Sequence, residues 1–495
     1  MSTPNSSQST SQSEFSIKSI LAPLVAVILG MIMVILDSTI VNVAVPNLQK
    51  YFSSSLKIIQ WTITGYTLAL SAVIPLAGWM TDKFGAKRIF LITIALFTLG
   101  SVLCALAQTP EQLILFRVIQ GIGGGMVSPI GIAMVYKLAP ENKRGSVMGM
   151  LGIPMLLAPV IGPVLSGWLI EVATWHWIFL INLPIGIVAL LVGFKFLPNL
   201  ERQRTPALDI FGMILAPVAF AMLAFGVSEG GTDWGSTRTL TGLIVGGLAL
   251  LLFIIVELLQ KQPLLELRVF RSSDFTRSII ITWIAQTALF GSILMIPLYL
   301  QNVRGFTPLE SGLTTLPMEI CAVLFMPIGG RLFDKWGVRP IALTGLSLIS
   351  ISVFSLSQIG LDTPIALVMV PIGLLGAGMG FCMMTLNTHV LNSAPKRLVS
   401  RVTPLTSATQ QVVMSFSIAG LTGYFASRVN YGSTEVGVEG NMLNTLSHAF
   451  GNTFLLIASI VAAGTVLSII LRKPKVNHND NQDEDMPDPA MMMNH

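Results

Sequence analysis

Three charged side chains stand in stretches that are otherwise apolar: Asp37 after Val34-Ile-Leu, Arg117 after Leu113-Ile-Leu-Phe, and Glu319 between Leu316-Pro-Met and Ile320-Cys. A charge held at membrane depth costs at least ~2.5–3.5 kcal/mol, so each is a functional candidate by default. Asp37 and Arg117 suit proton chemistry. A neighbouring guanidinium favours the ionised carboxylate and loss of water favours the neutral acid, so a change in hydration can load and release a proton. The same two residues also suit a purely structural salt bridge. Glu319 has no cation in its own stretch. It suits capture of a proton or a cationic ligand, or a hydrogen bond to a neighbouring helix. Counted at ~1.5 Å per residue from the nearest polar break, all three sit roughly 10–14 Å below the outer surface.

Four uncharged polar residues in apolar surroundings are weaker candidates for contact with a bound molecule: Asn42, Gln120, Gln286 and Asn387. Hydrogen bonds between helices explain them equally well. The 24 methionines and 25 phenylalanines suit an adaptable hydrophobic pocket, and suit ordinary membrane core as well.

The elements that must position these residues are membrane helices. Of 495 residues 53% are hydrophobic and 11% charged, and the mean hydropathy is +0.75. A soluble domain carries about 25% charged residues, so most of this chain's surface must face lipid. Apolar runs of about 20 residues, each long enough to cross a ~30 Å hydrocarbon core, occupy 20–44, 58–79, 88–107, 112–136, 146–170, 177–197 and 208–227. Further runs occupy 240–260, 277–301, 311–330, 338–359, 364–388, 403–426 and 450–471. Fourteen spans give an all-α polytopic protein. Lysine and arginine fall mainly in alternate loops, among them Lys83, Lys87, Arg88, Lys143, Arg144, Arg331, Lys335 and Arg401. The opposite loops keep only Lys50, Lys57, Arg238, Arg304 and Arg428. This asymmetry, roughly four to one, predicts both termini in the cytoplasm. The net charge of +5 is then an orientation signal, and no nucleic-acid partner is expected. The first apolar run is too long for the core of a cleavable signal peptide. Cys104, Cys321 and Cys382 all lie in apolar runs, which argues against disulfides.

One segment occurs twice. Gly78-Trp-Met-Thr-Asp82-Lys83-Phe-Gly85-Ala-Lys87-Arg88 returns as Gly330-Arg-Leu-Phe-Asp334-Lys335-Trp-Gly337-Val-Arg339-Pro340, with Pro75 matching Pro327 at the same offset of 252 residues. The repeat predicts two six-helix bundles with a substrate path between them near the midplane. Each copy reads as a short loop between spans, where Asp82 and Asp334 can cap the helix that follows. The domain boundaries that follow are an N-terminal tail over 1–19, a first bundle over 20–199, two additional helices over 200–262, a second bundle over 263–472 and an acidic tail over 473–495. The second half has no arginine matching Arg117, because the offset falls in Leu367-Val-Met-Val-Pro371. Any ion-coupling machinery is therefore expected in the first half, and the repeat partner of Glu319 is Thr67.

These motifs resemble those of the major facilitator superfamily, over essentially residues 20–472. The Gly78–Arg88 segment is similar to the family's loop between spans 2 and 3, and Arg117-Val-Ile-Gln120-Gly121 to its span-4 motif. Gly152…Pro159-Val-Ile-Gly162-Pro163…Gly167 resembles the span-5 motif of antiporters. Leu36-Asp37-Ser-Thr39-Ile-Val-Asn42-Val-Ala-Val-Pro46 and Trp175-His176-Trp177…Asn182-Leu-Pro184 resemble motifs of the fourteen-span drug:proton antiporters, with His176 where an arginine is usual. The resemblance implies a proton-coupled antiporter that exports hydrophobic, cationic drugs by alternating access. Within it, Asp37, Arg117 and Glu319 would couple protons. Glu319, Asn42, Gln120, Gln286 and Asn387 would contact substrate. Gly78, Asp82, Gly85, Arg88, Asp334, Pro159, Gly162 and Pro163 would serve gating. Export of an endogenous amphiphile (a lipid precursor, siderophore or peptide) and a non-transporting sensor are the alternatives. Protons, lipid and small hydrophobic or cationic substrates are the expected partners of a monomer in a bacterial cytoplasmic membrane. No cofactor, metal site or enzyme activity is implied. The one glycine-rich run, Gly121–Gly125, lies inside a span and lacks the Lys-Ser/Thr of a phosphate loop.

Overall fold

The computed structural model describes residues 17–199, 210–230, 234–260, 265–395, 398–435 and 442–471. The expected tails, apart from Ile17–Ser19, which already belong to the first helix, lie outside the described residues. Every described element is helical, as a backbone in lipid must be unless its strands close into a barrel.

The first half contains α1 (Ile17–Tyr51), α2 (Leu56–Val73), α3 (Ala77–Phe84), α4 (Ala86–Ala105), α5 (Pro110–Leu138), α6 (Arg144–Val172), α7 (Trp177–Leu180) and α8 (Asn182–Phe196). A hairpin of α9 (Ile210–Gly230) and α10 (Thr237–Leu259) follows. The second half contains α11 (Ser273–Asn302), α12 (Pro308–Trp336), α13 (Val338–Ser357), α14 (Ile365–Asn392), α15 (Val399–Glu435) and α16 (Met442–Ser468). α2 and α3 make one pass, as do α7 and α8, which gives fourteen passes among the described residues. Twelve of them are long and apolar enough to cross a membrane. The other two are α6, whose 29 residues reach about 43 Å, and α9, with 21 residues and about 31 Å.

Local chemistry sets the helix starts. Ser55, Thr109, Ser236 and Ser272 each accept a hydrogen bond from a first-turn amide, and Thr307 forms a capping box with Glu310. The repeated segments depart from expectation, because they are helix rather than loop. α3 runs through Asp82 to Phe84 and α12 through Asp334 to Trp336, and a single residue breaks each chain. Those residues are Gly85 and Gly337, at φ +92° and +82°, a region that side chains rarely enter. Pro75, which has no N–H to donate, sits in the 3-10 turn that separates α2 from α3.

The repeat is visible in the packing. α2 and α4 both pack on α5, and α8 packs on α1 and α4; in the second half α12 and α13 both pack on α14, and α16 packs on α11 and α13. α9 and α10 pack chiefly on each other, so close at Gly226 that a Cβ on Gly242 would lie 2.5 Å from its Cα. Large apolar side chains such as Leu191, Phe194, Leu251 and Leu259 face outward, as a lipid-bathed surface requires. The ends of the helices that carry Lys83, Arg88, Arg144, Lys335 and Arg401 gather on one side, called here the basic end.

Candidate functional site: a buried ion pair and a two-sided latch

The Asp37 cluster lies wholly inside the first half. α1, α4, α5 and α8 contribute Asp37, Ser101, Arg117 with Gln120, and Asn182, all at most 1% exposed. Gly100 allows the approach of α4 to α5, since a Cβ there would lie 2.7 Å from the Gln120 Cα. Arg117 Nη1 donates to Asp37 Oδ2 at 2.5 Å and to Gln120 Oε1 at 2.7 Å, and Nε donates to the Thr62 carbonyl at 3.1 Å. Asp37 Oδ1 accepts from Gln120 Nε2 at 2.8 Å and from Asn182 Nδ2 at 3.0 Å. Both amide groups also reach Ser101 Oγ, at 2.6 and 3.2 Å. The guanidinium lies 3.8 Å from the Tyr66 ring centroid.

This arrangement holds the arginine by more than its counter-ion. If Asp37 takes a proton, Arg117 keeps Gln120 Oε1, the Thr62 carbonyl and the Tyr66 face. Two polar atoms beside it, the Tyr66 hydroxyl and Asn182 Oδ1, are buried and have no partner among the described residues. They are the spare donor and acceptor of the cluster. Of its members, Asp37, Arg117 and Gln120 were singled out by residue type. Asn182 falls within the Trp175–Pro184 motif, where its residue type alone does not mark it. Ser101, Thr62 and Tyr66 carried no sequence signal.

Glu319 lies on α12 and is 9% exposed, with no hydrogen bond or ion pair to the described residues. Met326, two turns along the same helix, meets α6: a Cβ on Gly149 would lie 3.0 Å from its carbonyl oxygen. A seven-residue spacing puts Glu319 on that same face, turned toward the other half. Gln286 on α11 and Asn387 on α14 are half-buried and make no side-chain hydrogen bond to the described residues. The side chain of Asn42 lies outside the described residues, as do those of Pro159 and Pro163. Gly162 sits against α1, where a Cβ would meet Thr39 Oγ1.

At the basic end the two repeat aspartates reach across to opposite halves. Neither caps the helix that follows it, because the glycine break turns that helix away. Asp82 Oδ2 accepts from Arg401 Nε of α15 at 3.2 Å. Asp334 accepts from the Gly145 and Ser146 amides at 2.8 and 2.9 Å and from Ser146 Oγ at 2.6 Å, which caps the start of α6. A third tie joins the halves at Asn392, whose Oδ1 accepts from the Tyr136 hydroxyl at 2.6 Å and from Arg144 Nη1 at 3.4 Å. Backbones touch here as well: a Cβ on Gly78 would lie 2.6 Å from the Ser400 carbonyl oxygen, and one on Gly145 2.6 Å from that of Gly330. Arg88 remains exposed, and Arg401, which sequence reading counted only as a loop cation, takes the place opposite Asp82. The basic end is thus closed.

Known proteins agree with this architecture. Residues 27–418 match the model of the Major Facilitator Superfamily. The multidrug resistance protein B homolog of Mycobacterium tuberculosis is 32% identical over 485 residues, 91% of this chain and 90% of that protein. The lincomycin resistance protein LmrB of Listeria innocua is 33% identical over 442 residues, 89% of this chain and 94% of that protein. Among solved structures, the proton:xylose symporter XylE superimposes with a TM-score of 0.63 at 13% identity, covering 93% of this chain and 97% of its own. With matching repeat, fold and near full-length relatives, the chain belongs to the Major Facilitator Superfamily, in the branch that holds its multidrug-resistance proteins.

Proposed function

We propose that this protein is a proton-coupled antiporter that exports hydrophobic, cationic compounds across a bacterial cytoplasmic membrane, with its basic end and both termini in the cytoplasm. The observation that carries the reading is the Asp37–Arg117 pair, fully buried in one half and surrounded by replacement partners for the arginine. Those partners hold the guanidinium in place when the carboxylate changes charge. Protonation of Asp37 leaves Arg117 its other hydrogen bonds but unbalances its charge in a dry cluster, so gain of the proton strongly biases the first half. What changes is the tie between α1 and α5, and with it the balance between the two positions of the first half. The closed basic end is the state in which a substrate leaves to the outside. Opening it requires Asp82, Asp334 and Asn392 to release their partners in the opposite halves. The names of the relatives, which include multidrug and lincomycin resistance proteins, support drugs as the cargo.

The test is substrate-induced proton release in everted membrane vesicles, followed with a dye that reports the pH gradient. Ethidium and a neutral hydrophobic drug are expected to dissipate the gradient with the wild-type protein and not with Asp37→Asn. If neither compound moves protons with the wild type, the drug assignment fails and a dedicated endogenous amphiphile becomes the better cargo.

A further inference from the structure

A proton taken up by Asp37 has one oxygen to sit on and needs an acceptor there. Oδ2 faces Arg117 Nη1 at 2.5 Å, so a hydrogen on it would point at a guanidinium donor. Oδ1 is the open position, and both groups bonded to it are amide donors, Gln120 Nε2 at 2.8 Å and Asn182 Nδ2 at 3.0 Å. Once protonated, Oδ1 becomes a donor itself. It then meets two N–H groups and no acceptor, unless one of the amides turns over.

The two amides differ in their freedom to turn. Gln120 is fixed at both ends, because its Oε1 accepts from Arg117 Nη1 at 2.7 Å and from Cys104 Sγ at 3.6 Å. Turning it over would set an NH2 group against the guanidinium. Asn182 is held at one end only. Its Nδ2 serves Asp37 and, at 3.2 Å, Ser101 Oγ, while its Oδ1 is buried with no partner among the described residues. A buried acceptor left unpaired is uncommon and calls for a reason. A half-turn of the amide supplies one: the oxygen then accepts from Asp37 Oδ1–H and from the Ser101 hydroxyl, which can donate as well as accept. One end of the amide is unpaired before and after, so its two orientations match the two charge states of Asp37. The backbone beneath is fixed. Asn182 opens α8, and one turn on, Gly186 seats that helix against α4, where a Cβ would meet Thr98 Oγ1.

We propose that Asn182 is the positioning residue for the coupling proton, donating to Asp37 Oδ1 in the ionised state and turning over to accept from it in the protonated state. The O–H bond forms at Oδ1 with a proton from the aqueous phase, and no other covalent bond changes. This rests on the proton-coupled reading above and adds to it the group that lets a dry carboxyl hold its proton.

The experiment is infrared difference spectroscopy, acidic minus alkaline, on the full chain in liposomes, with asparagine isotope-labelled at its side-chain amide carbon. Acidification should raise a protonated-carboxyl band that Asp37→Asn removes. With it should come an isotope-shifted amide C=O band moved to lower frequency, as an unbonded oxygen becomes an acceptor. Asp37→Asn, Asn182→Leu and Asn182→Thr should each abolish that amide band. In transport, Asn182→Leu should lose proton-driven accumulation of tetraphenylphosphonium by about tenfold or more while exchange stays near the wild-type rate. Asn182→Thr, whose hydroxyl can exchange donor and acceptor roles, should retain most of the accumulation. An Asp37 carboxyl band with no asparagine band beside it overturns the Asn182 assignment alone. So does an asparagine band that survives in either Asn182 variant, or equal loss of accumulation in the two. Asn182→Thr carries the spectroscopic test if Asn182→Leu does not fold. Absence of any Asp37 carboxyl band in the folded wild type overturns the proton reading, and the proposal with it.

Discussion

The two halves share one packing pattern and place their buried charge differently. In the first half a carboxylate and a guanidinium sit together, with Gln120, Asn182 and Ser101 completing their hydrogen bonds. In the second half Glu319, on the face turned to its partner bundle, has no hydrogen bond or ion pair to the described residues. A paired acid that is fully enclosed is suited to gain and lose a proton without contact with cargo. An unpaired acid at an interface is suited to meet cargo directly. A duplicated fold has thus placed its two buried acids in different surroundings.

The largest expected effect separates the two acids by sign. Arg117→Met leaves Asp37 without its cation in a dry cluster and should cost about 3–5 kcal/mol. Glu319→Gln removes a carboxylate that has no partner among the described residues and should be neutral or stabilising. Thermal unfolding in detergent compares them, and equal losses would break the contrast. Adding Asp37→Asn to Arg117→Met should recover part of the loss, because the uncompensated charge is gone; the double variant falling below the single one would contradict the pairing.

The two halves of the latch should differ more modestly. Asp334→Ala removes an N-terminal cap from α6, worth about 0.5–2 kcal/mol. Asp82→Ala removes an ion pair with Arg401 whose side chains are only 3% and 13% exposed, worth about 1.5–3 kcal/mol and little altered by salt. The readout is thiol labelling of Met326→Cys, a position buried where α12 meets α6. Both variants should speed labelling, Asp82→Ala at least as much as Asp334→Ala, and neither effect should shrink much at high salt. The smallest expected change is Tyr66→Phe. Its hydroxyl has no partner among the described residues, so stability should shift by less than ~0.5 kcal/mol while the ring stays under Arg117.

The sequence carried most of the fold because lipid imposes a simple rule: an uninterrupted apolar run must be a helix that crosses. Each of the fourteen expected runs has its helix. The pairing of Asp37 with Arg117 was also legible, since two opposite charges at one depth in one half have few other partners. Asn182, Ser101 and Tyr66 were less so, because serines, asparagines and tyrosines are frequent in membrane helices and only packing selects those that meet. The helical state of the repeated segments was hidden as well. Their charged, glycine-bearing composition reads as loop, whereas a single glycine performs the turn and the aspartates face the opposite half. The docking of α9 on α2 and α15 could not be read at all, because it depends on surfaces far apart in the chain.

The most direct test compares exchange with accumulation in proteoliposomes, using radiolabelled tetraphenylphosphonium and the Asp37→Asn protein. Substrate-for-substrate exchange needs the alternating motion and the cargo site but no proton. The account predicts that Asp37→Asn keeps exchange near the wild-type rate and loses proton-driven accumulation by about tenfold or more, whereas Glu319→Gln loses both. An Asp37→Asn protein that still accumulates the cation against its gradient would contradict the account.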